Sequence, residues 1–414
     1  MKNQLIGPFK QLLTMRNLPL KGALQDSQLE IISNGGIYVE GEYIVEVGDY
    51  DHLREKYSEA SPVVLYGEYI AVPGFIDCHT HIAFAGNRAN DFALRNAGSS
   101  YLEIAAAGGG IWSTVQHTRA CTMETLIELT TSRAEYLLQQ GVTTVEVKSG
   151  YGLNVEEELK TLCAIKAAGA HTSVDLITTC LAAHMKPRDF EGSASEYLEY
   201  IATNLFPLLK TEDLTHRIDA FIEESAFSVE EIQPYLSRAQ ELGFDITLHA
   251  DQFTTSGSKL AVAMGAVSAD HLEASTSEEI ALLSQSDVVA VALPAASLGL
   301  GCALTPARAL LDAGASLAIA TDWNPGSAPM GQLVTSASIL ASNQKLTNAE
   351  VLAAITYRAA HALRLADRGR LVTGQLADFA IYPTDNYQNI TYQQGALQPQ
   401  FVWKRGELVY TITS

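Results

Sequence analysis

At 414 residues, 47% hydrophobic and 18% charged, the chain is long enough for a large barrel plus a smaller domain and too apolar for disorder. Its formal net charge of −20 repels phosphate backbones and anionic lipid, which predicts no nucleic acid and no membrane partner, and an anionic ligand would need a local cationic clamp. Five scattered cysteines without a CxxC pair, and no apolar run of signal or membrane-spanning length, predict a soluble cytoplasmic protein.

In chain order, residues 1–70 carry short alternating runs. Leu29–Ser33 and Ile37–Gly41 are separated by Asn34-Gly35-Gly36, which predicts a hairpin. The far end repeats the character in Asp378–Tyr382 and Gln400–Tyr410. Strand-rich ends around a helix–strand middle predict a small β-sandwich domain built from residues 1–70 plus 367–414, with a barrel over 71–366.

The middle alternates strands and helices, the pattern of a parallel sheet. Eight strands are expected at 75–81, 141–148, 174–181, 218–223, 244–249, 267–271, 287–292 and 315–321. Asn154 with Glu157 caps a helix from Val155 to Ala168, and Ser228 with Glu231 forms a capping box that opens a helix to about Leu242. Eight such units predict an α/β fold of the (β/α)8 TIM-barrel type, whose chemistry sits at the strand C-termini. His81, His184, His249, His271 and Asp322 all fall at or just past such ends. About 60 residues separate strands one and two, with Arg88, Arg95, Gly108-Gly109-Gly110 and a helix near 123–140. An insertion of that length at the catalytic face reads as a lid or a specificity element.

Strand one ends in His79-Thr80-His81, and side chains at i and i+2 of a strand share a face. A lone His-x-His fits two structural histidines as well as a metal site, but its company favours the metal. His79, His81, His249 and Asp322 offer three imidazoles and a carboxylate, a set that suits one Zn²⁺ or one Fe²⁺/Fe³⁺ ion. Asp322 can take a proton from water and return it to a leaving nitrogen. His271 would stand opposite, as an oxyanion donor or a fourth ligand. A second metal would need Glu223, Glu224 or Lys148, none with so complete a partner set, so one metal is expected. Glu223 can serve as a hydrogen-bonding support. Arg88, Tyr151, His184 and the loop Asn324-Pro325-Gly326-Ser327 are the ligand-facing candidates, the arginine as a carboxylate clamp.

These residues resemble the amidohydrolase superfamily, and within it the imidazolonepropionase family. The superfamily pattern is His-x-His at strand one, His249, His271, Asp322 and the return Gly369–Asp378. The narrower likeness lies in Phe84–Arg88, Gly108–Val115, Glu146–Leu153, His249–Gln252, Ser268–Leu272 and Ala320–Ser327. It implies hydrolysis of 4-imidazolone-5-propanoate to N-formimidoyl-L-glutamate in histidine degradation, metal-bound hydroxide attacking the ring carbonyl. By position it implies that His79, His81, His249 and Asp322 bind metal and that Arg88, Tyr151 and His184 hold substrate. Asn324, Gly326 and Ser327 would touch substrate or product, and a homodimer is expected.

Two positions depart from the family pattern. Gln252 stands where some members have Glu, the proton shuttle of related deaminases. Its amide cannot shuttle protons, so it joins Asp322 and His271 in the catalytic set without that role. Small residues over Leu293–Gly301 replace an aromatic, which alters the pocket. The alternatives are a related amidohydrolase acting on another small carboxylate-bearing ring, and a catalytically dead metal-binding protein.

Overall fold

The computed structural model describes residues 3–99, 103 and 108–412. Eight parallel strands follow one another in chain order around the barrel: Phe75–Asp77, Val142–Lys148, Asp175–Ala183, Arg217–Phe221, Asp245–Ala250, Ser268–His271, Val289–Ala292 and Ser316–Ile319. Each lies within a residue or two of its predicted span, except at the end of strand one. There the regular ladder stops at Asp77, short of the predicted residue 81. Strands one and eight then meet beyond their ends, Thr80 bridging Trp323 in parallel, with Asp322 N donating to His79 O and His81 N to Trp323 O, both at 3.0 Å. His79 and His81 therefore lie on the seam that closes the ring.

Both named helix starts are present. Asn154 Oδ1 accepts from Glu157 N at 2.9 Å to open Val155–Gly169. Ser228 and Glu231 exchange bonds of 3.3 and 2.9 Å to open Val229–Glu241. Such caps satisfy amides that the first helical turn leaves free.

The terminal segments form two mixed sheets. Four strands pair in the order Tyr43–Asp49, Gly35–Glu40, Asn3–Phe9, Ser61–Val64. Six pair in the order Glu407–Thr411, Phe401–Lys404, Phe379–Tyr382, Ile70–Pro73, Gln11–Leu13, Ile31–Ile32. Ile6, Val39, Phe379 and Trp403 share one apolar core between them.

The hairpin expected at Asn34-Gly35-Gly36 does not form. Ile31–Ile32 pairs with Leu12–Leu13 in one sheet, while Gly35–Glu40 pairs with Asn3–Phe9 in the other. Gly35 serves close packing instead, since a Cβ there would stand 2.5 Å from Leu12 Cβ. The hairpin that does form joins Gly35–Glu40 to Tyr43–Asp49 through Gly41, whose φ is +61°.

Asp175, at the floor of barrel strand three, ties the barrel to these sheets. It accepts from Arg368 Nη1 at 2.5 Å, Lys404 Nζ at 2.9 Å and Arg405 Nη2 at 3.2 Å. Burial pushes its carboxyl up, but Lys404 and Arg368 outweigh that and hold it below the usual range. A depressed folded pKa contributes stability above the unfolded value, near 4, which is lost as pH falls through the folded value. Asp175→Asn should cost about 1–3 kcal/mol at pH 7. In chemical denaturation at several pH values, the gap from the parent should narrow below about pH 4.

Candidate metal centre and active site

Four side chains converge at the C-terminal mouth of the barrel. His79 Nε2 and His81 Nε2 lie 3.4 and 3.3 Å from Asp322 Oδ1, and His81 Nε2 lies 3.2 Å from His249 Nε2. Ligand-capable atoms of His79, His81 and Asp322 fall within 4.8 Å of one another, as do those of His79, His249 and His271. All five residues are buried.

The ring orientations are set from behind. His79 Nδ1 is 2.6 Å from Asp270 Oδ2, and His249 Nδ1 is 3.1 Å from Asp219 Oδ2. At His79, a hydrogen bond from Nδ1 to Asp270 aims Nε2 at the common point, and at His249 the Asp219 carboxylate stands in ion-pair contact with Nδ1. His79 Nε2 has no hydrogen-bond partner although it is buried. Glu146, Asp219, Asp270 and Asp322 gather here against one ammonium, Lys148, which sits 2.7 Å from Glu146 and 2.8 Å from Asp219. Burial and Lys148 push the His79 pKa down, yet Asp270 and Asp322 raise it to about 9, so the acidic surround favours positive charge here, as a proton on Nε2 or as a cation that replaces it. The donor set and its charge thus fit a divalent cation.

A cavity of about 470 Å³ opens onto these atoms. Arg88, Tyr151, His184, Gln252, His271, Asn324, Gly326 and Ser327 line it together with His81, His249 and Asp322, so the predicted residues share one site. His79 lies beneath.

Most of these side chains are pinned. The loop before Arg88 is held by Arg133 Nη1, which donates to Ile82 O at 2.5 Å and Phe84 O at 2.7 Å. Asp91 grips Arg88 Nε at 2.8 Å. Glu158, buried, accepts from the amides of Gly152 and Leu153 at 2.8 Å and so fixes the loop that carries Tyr151. His184 Nδ1 donates to Gly150 O at 3.0 Å, which leaves Nε2 as an acceptor. Burial, helped by His81, lowers His184 to about 3, so the ring is neutral.

The amidohydrolase family model matches residues 104–410. The curated imidazolonepropionase of Rubrobacter xylanophilus is 42% identical over 395 residues, covering 94% of each chain. That of Bdellovibrio bacteriovorus is 39% identical over 413 residues, 98% of this chain and 96% of the other. This chain belongs to the imidazolonepropionase family of amidohydrolases. A zinc-bound adenosine deaminase from Xanthomonas campestris shares the fold, with a TM-score of 0.71 at 19% identity over 98% of this chain and 92% of that one. Family membership implies a divalent metal.

Within this imidazolonepropionase-family site, Glu223 is no ligand. It accepts from Phe253 N, Thr254 N and Thr254 Oγ1 at 2.7–3.1 Å and so braces the loop after strand five. Lys148, buried among carboxylates, is a counter-charge. Asn324, expected against substrate, gives its amide to Asp322 Oδ2 at 2.9 Å while its Oδ1 accepts from Gly326 N and Ser327 N at 2.8 Å. It thereby turns Asp322 Oδ1 toward the histidines.

Sequence reading missed Asp219, Asp270 and Glu273. Glu273 Oε2 stands 3.6 Å from His271 Nδ1, while its Oε1 accepts from Ser297 Oγ at 2.7 Å. The available signal was a carboxylate inside an apolar strand, as in Asp219 of Arg217–Phe221. His271, Leu272 and Asp322 have φ of +90°, +70° and +51°, a concentration of left-handed backbone at the site.

Proposed function

We propose that this chain opens the cyclic amide of 4-imidazolone-5-propanoate to N-formimidoyl-L-glutamate, a step of histidine degradation. The observation that carries the reading is the convergence of His79, His81, His249 and Asp322 beneath a cavity that holds Arg88. A divalent cation on those four residues, for which zinc and iron are both suited, would polarise the carbonyl and acidify a water.

The chain's own groups do the rest. Arg88, gripped at Nε by Asp91, presents its terminal nitrogens to the propanoate carboxylate. His184 accepts a ring N–H at Nε2. Tyr151 stays a neutral phenol, because burial raises its pKa, and hydrogen-bonds the ring. Burial pushes Asp322 up, but His79 and His81 outweigh that and hold it well below the usual range, so it is ionised. It takes one proton of the attacking water and delivers it to the ring nitrogen as the C–N bond breaks, leaving a carboxylic acid on the former carbonyl carbon that releases its proton to become the carboxylate. His271 faces the oxygen that gains charge. Gln252 donates to and accepts from the ring without moving protons, which disfavours deamination.

Five unpaired cysteines and the acidic surface support a cytoplasmic enzyme without nucleic acid or membrane partners, and among the described residues no helix is long and apolar enough to cross a membrane. The same reading takes residues 1–70 with 367–414 as one β unit and 71–366 as the barrel. It expects a homodimer, which sedimentation would test.

Turnover of imidazolonepropanoate, measured beside hydantoins and aminated heterocycles, tests the reaction. Activity on another ring with none on imidazolonepropanoate overturns it. Arg88→Ala should raise KM for imidazolonepropanoate about tenfold or more while lowering kcat less. Equal loss on a ring lacking the carboxylate would remove the role given to Arg88.

A further inference from the structure

The insertion between strands one and two brings a second guanidinium to the cavity. Arg95, near the end of helix Ala89–Asn96, lines the cavity with Arg88 and Asp322. Its Nη1 donates to Gly299 O at 2.6 Å, and its Nη2 reaches Gly326 O at 3.5 Å. Those carbonyls belong to the segments after strands seven and eight, and among the described residues these two bonds leave three of five guanidinium N–H groups unspent.

Arg88 abuts the same glycine, since a Cβ on Gly326 would stand 2.2 Å from Arg88 Nη1. Gly326 is therefore the floor on which two arginines meet. Asp91 accepts from Arg88 Nε, and among the described residues no acceptor meets the terminal nitrogens of Arg88. Burial, and then Arg88, lowers the Arg95 pKa, in keeping with two cations held close. Keeping like charges together costs Coulomb energy that a shared anion recovers. A chain of net charge −20 has little other means of drawing an anion into its barrel.

We propose that Arg88 and Arg95 form a two-arginine clamp on the carboxylate tail of the substrate, with Arg95 setting the preference for an anionic over a neutral tail. The proposal rests on the ring-opening reaction above. It also gives a physical reason for small residues after strand seven. A Cβ on Gly299 would stand 1.7 Å from Ser327 O, so a larger residue would push away the segment whose carbonyl seats Arg95.

The test compares the parent with Arg95→Gln and Arg95→Lys on imidazolonepropanoate and on its carboxamide analogue. Arg95→Gln should raise KM for the carboxylate about tenfold or more, with kcat changed far less, and erase the preference over the carboxamide. Arg95→Lys should restore part of it. Equal KM rises for both compounds, or a fall in kcat alone, would make Arg95 a mere tie between loops and overturn the clamp. Should the parent turn over neither compound, the reaction is wrong, and calorimetry with imidazole-propanoate against its amide decides on the clamp alone. Carboxylate-dependent binding lost in Arg95→Gln upholds it, and equal binding overturns it.

Discussion

Replacing Asp322 by Asn should lower kcat/KM by about 10³–10⁴-fold, the loss expected when a general acid–base is removed. Asparagine keeps the side-chain shape and tolerates the left-handed backbone at this position, where φ is +51°. Folding should therefore survive, and an unchanged Tm would show that the loss is chemical. The amide cannot take a proton from water, and it removes a negative charge 3.3–3.4 Å from the nitrogens of His79 and His81. Metal analysis of purified Asp322→Asn separates the two effects. Metal retained with activity lost assigns the proton work to Asp322, whereas activity within tenfold of the parent would sink the assignment.

The second large effect is expected at Lys148, which touches no substrate. Its ammonium lies 2.7 Å from Glu146, 2.8 Å from Asp219 and 3.9 Å from Asp270, with all four side chains out of contact with solvent. Burial lowers its pKa, but Asp219 and Glu146 outweigh that and raise it, so it stays charged. Lys148→Met leaves three carboxylates without their cation. Stripping one partner from a buried ion pair costs about 3–5 kcal/mol. Denaturation should show at least that loss, and Glu146→Gln in the same chain should recover part of it by removing one stranded charge. Because Asp219 and Asp270 orient His249 and His79, metal affinity should fall as well. A Lys148→Met protein of parental stability would contradict the electrostatic account.

Much of this was readable before any coordinates. The histidines proposed as ligands and Asp322 stand at the ends of apolar runs, and strand period with barrel topology suffices to bring such ends together. The supporting carboxylates were less visible. Asp219 and Asp270 are single acids in buried strands, and their partners His249 and His79 lie 30 and 191 residues away, so no local pattern marks the pairing. Asn34-Gly35-Gly36 misled for a related reason. Its glycines answer to Leu12 of another strand, a tertiary demand that resembles turn chemistry in one dimension. Arg95 could be seen in the chain but not distinguished from a surface arginine until Gly299 and Gly326 came beside it.

The seam between the first and last barrel strands has a consequence for evolution of this scaffold. Hydrogen bonds that finish the cylinder, from Asp322 N to His79 O and from His81 N to Trp323 O, involve three of the four residues proposed to hold the ion. Architecture and chemistry thus draw on the backbone and the side chains of the same residues. Drift at this joint is penalised twice, while strand seven, which supplies neither a proposed ligand nor a carboxylate that orients one, is free to vary for new substrates without reopening the ring.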